Sequence, residues 1–397
     1  MPPPGESVFL AILWVRMNIP LVPMPKRGPL AVLDLRPLQC GYAGRGIGRY
    51  TLELARRLPA ILAKPRAGGK PGFRVFSLVL EGRDIPVPEI PVLVWAPPWK
   101  RMWLWDQFVL PLKLFRHRVR AFHNFVTLGP LDRVSFPGRY GFRSLATVHD
   151  WHMFAGDASP VEKFYRGTRR IRMQLKGLAK ARRVVVDSEQ IKVETIMRSG
   201  VDGRRIAIVP LGGDHLDLVP AEPWPMENFA LSVGDTPNKN LAFARDALAL
   251  LRSRYVHINW VVAGNRKAVL EQLGYQEADL PSWITILENP SDGLLKACYH
   301  KALCLLFPST REGFGIPVLE AMRMGCPVLA SNLEPLRSLV GYSHGMVRPD
   351  NREEWCEALA RLLHSPEARQ ESIAAGMERA RPMTWDAAAE ALAFLYL

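Results

Sequence analysis

The sequence predicts an α/β protein of two successive domains, each built on a parallel sheet. Three observations carry this. Apolar runs of strand length alternate with helical segments through both halves of the chain. The stretch VPAEPWPM at 219–226 has three prolines in eight residues and reads as a linker between the two sets. The charge balance changes at the same place: residues 1–220 carry 35 Lys and Arg against 17 Asp and Glu, and residues 221–397 carry 17 against 21. A chain of 397 residues also exceeds one ordinary core and suits two domains of about 150–200 residues each.

In order, residues 1–29 are expected to be a loose leader. Its apolar run, 8–15, is shorter than the roughly 20 residues that span a bilayer, and it lacks the basic start and cleavage site of a signal peptide. Residues 30–218 form the first domain. Its opening strand, PLAVLDL, meets a glycine turn, GYAGRGIG at 41–48, and then a helix with Tyr50, Leu54 and Leu58 at helical spacing. Strand, glycine turn and helix together place backbone N–H groups around a phosphate. Further strands are expected at 74–80, 144–148, 183–187 and 206–210, with Ser188 capping a helix near 191–198. After the linker, 219–228, the second domain runs 229–383. Strands are expected at 229–233, 260–264, 284–287, 304–307 and 328–330. Helices are expected at 241–251, 294–303, 317–324 and 352–363. Residues 384–397 form a closing helix.

Composition excludes several classes. Five cysteines without C-x-x-C spacing argue against a disulfide framework or zinc knuckle and fit a reducing cytosol. The basic first half implies an anionic partner. No RNA- or DNA-binding motif accompanies it, so nucleic acid is not expected. Trp95, Trp99, Trp103 and Trp105 lie among Lys100, Arg101, Lys113, Arg116, Arg118 and Arg120. That mixture suits peripheral contact of residues 95–125 with an anionic membrane, although tryptophans also pack in cores.

The most informative string is FPSTREGFGIPVLEAMRMGCPV at 307–328. A strand ends, a glycine-containing loop follows, and Pro317 sits where a first helical turn tolerates it. This aims the N–H groups of Gly315, Ile316 and Val318 towards an anion. Glu312 on the loop can reach the group beyond the phosphates, and Glu320 can accept ribose hydroxyls. Acidic residues are favourable at any helix start, so Glu320 by itself does not distinguish a ligand role from a structural one.

EGFGIPVLEAMRMGCPV resembles the donor-site signature of the retaining GT-B glycosyltransferases with a Glu-x7-Glu motif, the glycosyl transferases group 1, which include many bacterial mannosyl- and glucosyltransferases. LDLRPLQCGYAGRGIGRYTLELARRL, ATVHDWHMF, VVVDSEQIKVETI, IAIVPLGGD, LSVGDTPNKNL and MTWDAAAEALAFLY resemble successive segments of the same family, so the likeness covers most of the chain. It implies a GT-B fold, two Rossmann-like domains facing across a cleft, with the closing helix crossing back to the first domain.

The resemblance also implies roles. Gly46 lets the glycine loop approach the donor diphosphate, and Lys239 neutralises it. Glu312 contacts hydroxyls of the transferred sugar, with backbone contacts from Gly313, Phe314 and Gly315. Glu320 holds the ribose. His149 lies beside the reacting sugar and Asp150 faces the acceptor. On their own residues, His149 also reads as a strand-end structural histidine, Lys239 as a turn lysine and Asp150 as a helix cap. Where the family commonly carries an arginine near the lysine, this chain has Asp235 and Asn238. Arg266 or Lys267 in the AGNRK turn, or Arg45 in the first domain, are the candidates to supply that charge.

The implied reaction moves a hexose, with GDP-mannose as the donor suggested by analogy, to a saccharide or lipid-linked acceptor in bacterial surface polysaccharide synthesis. Neither an Asp-x-Asp motif nor a His/Cys cluster is present, so no metal and no cofactor is expected. The competing readings are a nucleotide-sugar 2-epimerase of the same architecture and a non-catalytic sugar-nucleotide-binding subunit. The location expected is the cytoplasm, at the inner face of the plasma membrane.

Overall fold

A computed structural model describes residues 28–44, 46–97, 102–126, 144–151, 169–254, 258–341 and 345–397. The chain divides into two compact units, one of Met1–Val185, Thr195–Ala207 and Ala393–Leu397, the other of Val186–Glu194 and Ile208–Leu392. Of the expected leader, only residues 28 and 29 are described. Arg45, Trp99, Lys100 and Arg101 also lie outside the described residues, as does the side chain of Trp103.

The first sheet has seven strands: β1 (Leu30–Asp34), β2 (Arg74–Leu80), β3 (Val92–Ala96), β4 (Val119–Asn124), β5 (Ser144–Val148), β6 (Arg183–Val186) and β7 (Ile206–Ile208). Their order is β3-β2-β1-β4-β5-β6-β7. β1 pairs in parallel with both β2 and β4, and β4 with β5. All residues of β1 and β5 are buried, as expected for a parallel sheet covered on both faces. Chain order reverses about β1, a topological switch point.

A buried ionic group sits at the end of β1. The Arg36 guanidinium donates to both Asp34 oxygens (2.8 and 2.6 Å) and to Asp106 (2.6 Å), while Asn124 Nδ2 donates to Asp34 at 3.0 Å. None of the three charged side chains is exposed. Such a group holds β1, β4 and the helix Met102–Arg116 in one geometry, and losing Arg36 would leave two buried carboxylates uncompensated.

The second sheet comprises β8 (Ala230–Val233), β9 (Trp260–Gly264), β10 (Ile284–Glu288), β11 (Cys304–Phe307), β12 (Val328–Ser331) and β13 (Met346–Val347), in the order β10-β9-β8-β11-β12-β13. The pairings β8–β9, β8–β11, β9–β10, β11–β12 and β12–β13 are all parallel. Here the order reverses at β8 and β11.

The aromatic and basic segment expected as one membrane-facing surface is divided by helical periodicity. In Met102–Arg116, Trp105, Leu110 and Leu114 pack in the core, and Lys113 Nζ lies 5.8 Å above the Trp105 ring. Trp105 is therefore not a surface anchor. Phe108, Leu112 and Phe115 occupy the other face and are exposed. Among the described residues no helix is long and apolar enough to cross a membrane.

Candidate active site

In the second unit, the loops leaving β8 and β11 start side by side at the switch point, where α/β sheets bind ligands. The β8 loop turns at Gly234, whose φ of +110° suits glycine; a Cβ there would come within 2.8 Å of Lys239 Cε. A short 3-10 turn, Pro237–Lys239, ending on left-handed Asn240, then presents Lys239. Its Nζ lies 2.7 Å from Glu312 Oε1 and 4.5 Å from the centre of the Phe307 ring. Both side chains are nearly buried, at 14% and 9% exposure, so the pair is little screened by solvent.

Glu312 Oε1 also accepts from Ser309 Oγ at 2.6 Å and from Asn238 Nδ2 at 3.4 Å. These contacts all fall on Oε1, and Oε2 accepts none among the described residues. Asn238, where the resemblance leads one to expect an arginine, ties the two loops together: its Nδ2 donates to the Arg311 carbonyl at 2.8 Å, and its main-chain carbonyl accepts from Thr310 N–H. Asp235 likewise holds the next loop, accepting from Asn265 N–H at 2.9 Å. Arg266, the expected replacement cation, forms a two-pronged pair with Glu277, which raises its pKa through that hydrogen bond. Lys267 pairs with Glu271 at 4.0 Å. The structure thus brings Lys239 to Glu312 and directs Arg266 to an acidic partner of its own.

The β11 loop runs through Gly313 and Phe314 to Gly315, which caps the helix Ile316–Arg323 with φ +105°. A Cβ on Gly315 would meet Leu336 Cδ2 at 2.7 Å. The Val318 amide, expected to face an anion, closes the first turn instead and donates to the Gly315 carbonyl at 3.0 Å. Pro317 has no amide proton. Anion contact at this terminus is left to Gly315 and Ile316. The loop is braced by Ser188, expected from the sequence only as a helix cap, whose Oγ donates to the Gly313 carbonyl at 3.0 Å, and by Arg311, which pairs with Glu194 at 2.5 Å.

Glu320 is buried on that helix. Its Oε2 accepts from Tyr299 OH at 2.8 Å, and its Oε1 lies 3.0 Å from His215 Nε2. Trp385 Nε1, which can only donate, points at His215 Nδ1 at 3.2 Å. Nδ1 is therefore the acceptor and the His215 proton sits on Nε2, 3.0 Å from Glu320 Oε1. Burial, then the neighbouring Glu320 charge, pushes the Tyr299 phenol well above its ordinary value and keeps it a donor. The glycine pair preceding Asp214 was the available signal for this arrangement. A Cβ on Gly213 would come 2.6 Å from Leu319 Cγ, and one on Gly212 would come 2.2 Å from the Trp385 nitrogen. Only glycines let the turn carrying His215 approach both helices.

In the first unit, Gly46 opens the helix Gly46–Leu62. His149 follows β5 and is half-buried; its Nε2 donates to the Phe125 carbonyl at 3.0 Å, and the Tyr50 ring stands edge-on at 4.7 Å. Asp150 is half-buried beside it. Below them, buried His123 bridges Tyr396 OH (2.7 Å) and Thr147 Oγ1 (2.9 Å). Among the described residues no three His, Cys, Asp or Glu side chains gather as a metal site.

Residues 220–379 match the family model described as glycosyl transferases group 1. The chain is similar to the O-antigen chain mannosyltransferase RfbU of Salmonella typhimurium, with 28% identity over 227 residues, 56% of this chain and 61% of the relative. It is 28% identical over 263 residues to the O-antigen chain mannosyltransferase B of Escherichia coli, covering 62% of this chain and 67% of the relative. The alignments thus span about two thirds or less of these relatives. Among solved structures, a sucrose-phosphate synthase from Thermosynechococcus elongatus superposes with a TM-score of 0.68 over 93% of this chain and 98% of that one, at 20% identity, a likeness of fold.

Proposed function

We propose that this chain, whose residues 220–379 match the family model of the glycosyl transferases group 1 and whose two parallel sheets have the GT-B architecture, is a retaining hexosyltransferase using a nucleotide-diphosphate sugar. The observation that carries this reading is the Lys239–Glu312 pair at the switch point, with Glu312 Oε2 left open and Glu320 buried on the following helix. Lys239 and the Gly315 and Ile316 amides would take up charge that develops on the departing diphosphate. Glu312 Oε2 would accept sugar hydroxyls. Glu320, held by Tyr299 and close to His215, would accept ribose hydroxyls. His149 would lie beside the reacting sugar, Asp150 would face the acceptor, and Gly46 would let its loop approach the donor diphosphate. In retention, the acceptor attacks the face from which the diphosphate leaves, and the departing phosphate oxygen takes the acceptor proton.

The donor to test first is GDP-mannose, because the relatives named above are mannosyltransferases. A saccharide or lipid-linked acceptor in bacterial surface polysaccharide synthesis follows from the same relatives. Exposed Phe108, Leu112 and Phe115 at helical spacing, next to Arg116, support peripheral contact with an anionic cytoplasmic membrane face. The test is incubation with a panel of nucleotide sugars and with oligosaccharide and lipid-linked acceptors, read by mass spectrometry. A hexose added to an acceptor supports the reading. Donor binding without any product across the panel would favour a non-catalytic sugar-nucleotide-binding subunit.

A further inference from the structure

We propose that the first unit carries a second anion site, a cavity for a phosphate-bearing ligand of two or more negative charges, on the sheet edge opposite His149. The cavity encloses about 900 Å³ and is walled in part by Arg66, Arg74, Arg118, Arg120, Arg182 and Tyr396. Its place follows from the strand directions. Arg74 opens β2, Arg118 and Arg120 flank the first residue of β4, and Arg182 precedes β6, where its amide donates to Ser144 at the start of β5. Because β1, β2, β4 and β5 run parallel, these residues share the N-terminal edge, whereas His149 follows the C-terminal end of β5.

Five arginines line it, with no acidic side chain among the lining residues; Leu397, the last residue of the sequence, adds one carboxylate to the wall. None of the five forms an ion pair among the described residues. Arg66 is anchored by its Nε to the Pro71 carbonyl at 3.0 Å and lies over the Phe73 ring at 5.0 Å. Arg74 reaches only the Gly28 carbonyl, at 3.4 Å through Nη2, while its Nε and Nη1 are buried without a protein partner. Buried donors without acceptors are costly unless a ligand satisfies them. Buried Arg36, by contrast, is neutralised by Asp34 and Asp106.

The chemistry of the ligand follows from the donor set. Arginine forks match phosphate oxygens, and five of them exceed what the two oxygens of one carboxylate can accept. Phe73 and Tyr396 are 4% and 1% exposed, so neither ring face is free to stack on a base. A phosphomonoester or diphosphate is therefore favoured over a nucleotide held by its base. The site is independent of the donor reading, since it shares no residue with the β8 and β11 loops.

Calorimetric titration of the full chain with inorganic pyrophosphate tests it, comparing wild type, Arg118→Gly/Arg120→Gln, Arg182→Gln and Lys239→Ala. Arg118 and Arg120 are exposed, and glycine suits the Arg118 φ of +54°, so the double variant should keep the wild-type melting temperature. Arg182→Gln samples the opposite wall. The site predicts pyrophosphate binding that weakens about tenfold or more in both arginine variants and falls with added salt. Lys239→Ala should retain it. Recruitment to vesicles containing phosphatidic acid, lost in the double variant, would identify a lipid phosphate as the source. Pyrophosphate binding without recruitment would identify a soluble phosphate ester. Wild-type affinity for pyrophosphate in both arginine variants would overturn the site.

Discussion

Lys239 Nζ and Glu312 Oε1 stand 2.7 Å apart, joining the loops that leave β8 and β11. In the proposed reaction a donor diphosphate would share Lys239 with this carboxylate, while the sugar would meet Glu312 Oε2. Glu312→Gln keeps the size of the side chain and the Ser309 and Asn238 donors nearby but removes the charge. It should lower kcat by about a hundredfold or more while the donor Kd changes only a few-fold. Steady-state kinetics with calorimetry of donor binding check this, and a wild-type kcat would remove Glu312 from the reaction.

Glu320 should act on binding rather than turnover. Glu320→Gln retains an acceptor for Tyr299 or His215 but not both as charged contacts, and donor affinity should fall about tenfold. Glu320→Ala should also destabilise the fold by about 1–3 kcal/mol, because the buried Tyr299 hydroxyl loses its acceptor. Chemical denaturation separates the two effects: unchanged stability in the alanine variant would contradict the buried bond.

Metal independence is a separate prediction. With leaving-group charge assigned to Lys239 and the helix terminus, activity should persist in excess chelator. Loss of activity that magnesium or manganese restores would show that a divalent ion takes part.

The exposed stripe on the helix Met102–Arg116 predicts a graded membrane effect. Replacing Leu112 and Phe115 by serine should abolish sedimentation with anionic liposomes at low salt and leave donor binding intact, since both side chains point away from the core. Equal sedimentation of the variant and wild type would rule out this face as the contact.

Burial, with a smaller push from His149, takes the His123 pKa from 6.5 down to about 3. In the unfolded chain His123 gains a proton near pH 6.5, but in the folded chain it does not until far lower pH. Its neutral form therefore favours the fold above about pH 6.5, and that advantage is lost as pH falls towards about 3. Between about pH 6.5 and 5, His123→Gln should flatten the fall in stability by up to about 1.4 kcal/mol per pH unit. Urea unfolding at several pH values measures the slope; an unchanged slope would mean that His123 titrates normally.

The sequence made the strands legible where they are apolar throughout, as in LAVLD of β1 and CLLF of β11, and the glycine-proline helix start after β11. It hid β4, VRAFHN, because that strand buries His123 and Asn124, whose partners come from Asp34, Thr147 and Tyr396 elsewhere in the chain. The helix Met102–Arg116 was masked by Pro111 and by tryptophans that read equally as core or interface. At the site, Glu312, Lys239 and Glu320 were identifiable from local strings. Their supports were not: His215, Tyr299 and Ser309 are ordinary polar residues until folding sets them around a carboxylate. The Val318 amide was misread because counting N–H groups at a helix start ignores the one that closes the first turn.

The most direct test of transfer is the coupling between nucleoside diphosphate release and the acceptor, followed by NMR in one reaction with the best donor of the panel. Retaining transfer predicts nucleoside diphosphate formed one for one with a new glycoside, the donor's anomeric configuration preserved, and little release without acceptor. A donor epimerised at carbon 2 with its nucleoside diphosphate still attached, and no glycoside formed, would contradict it.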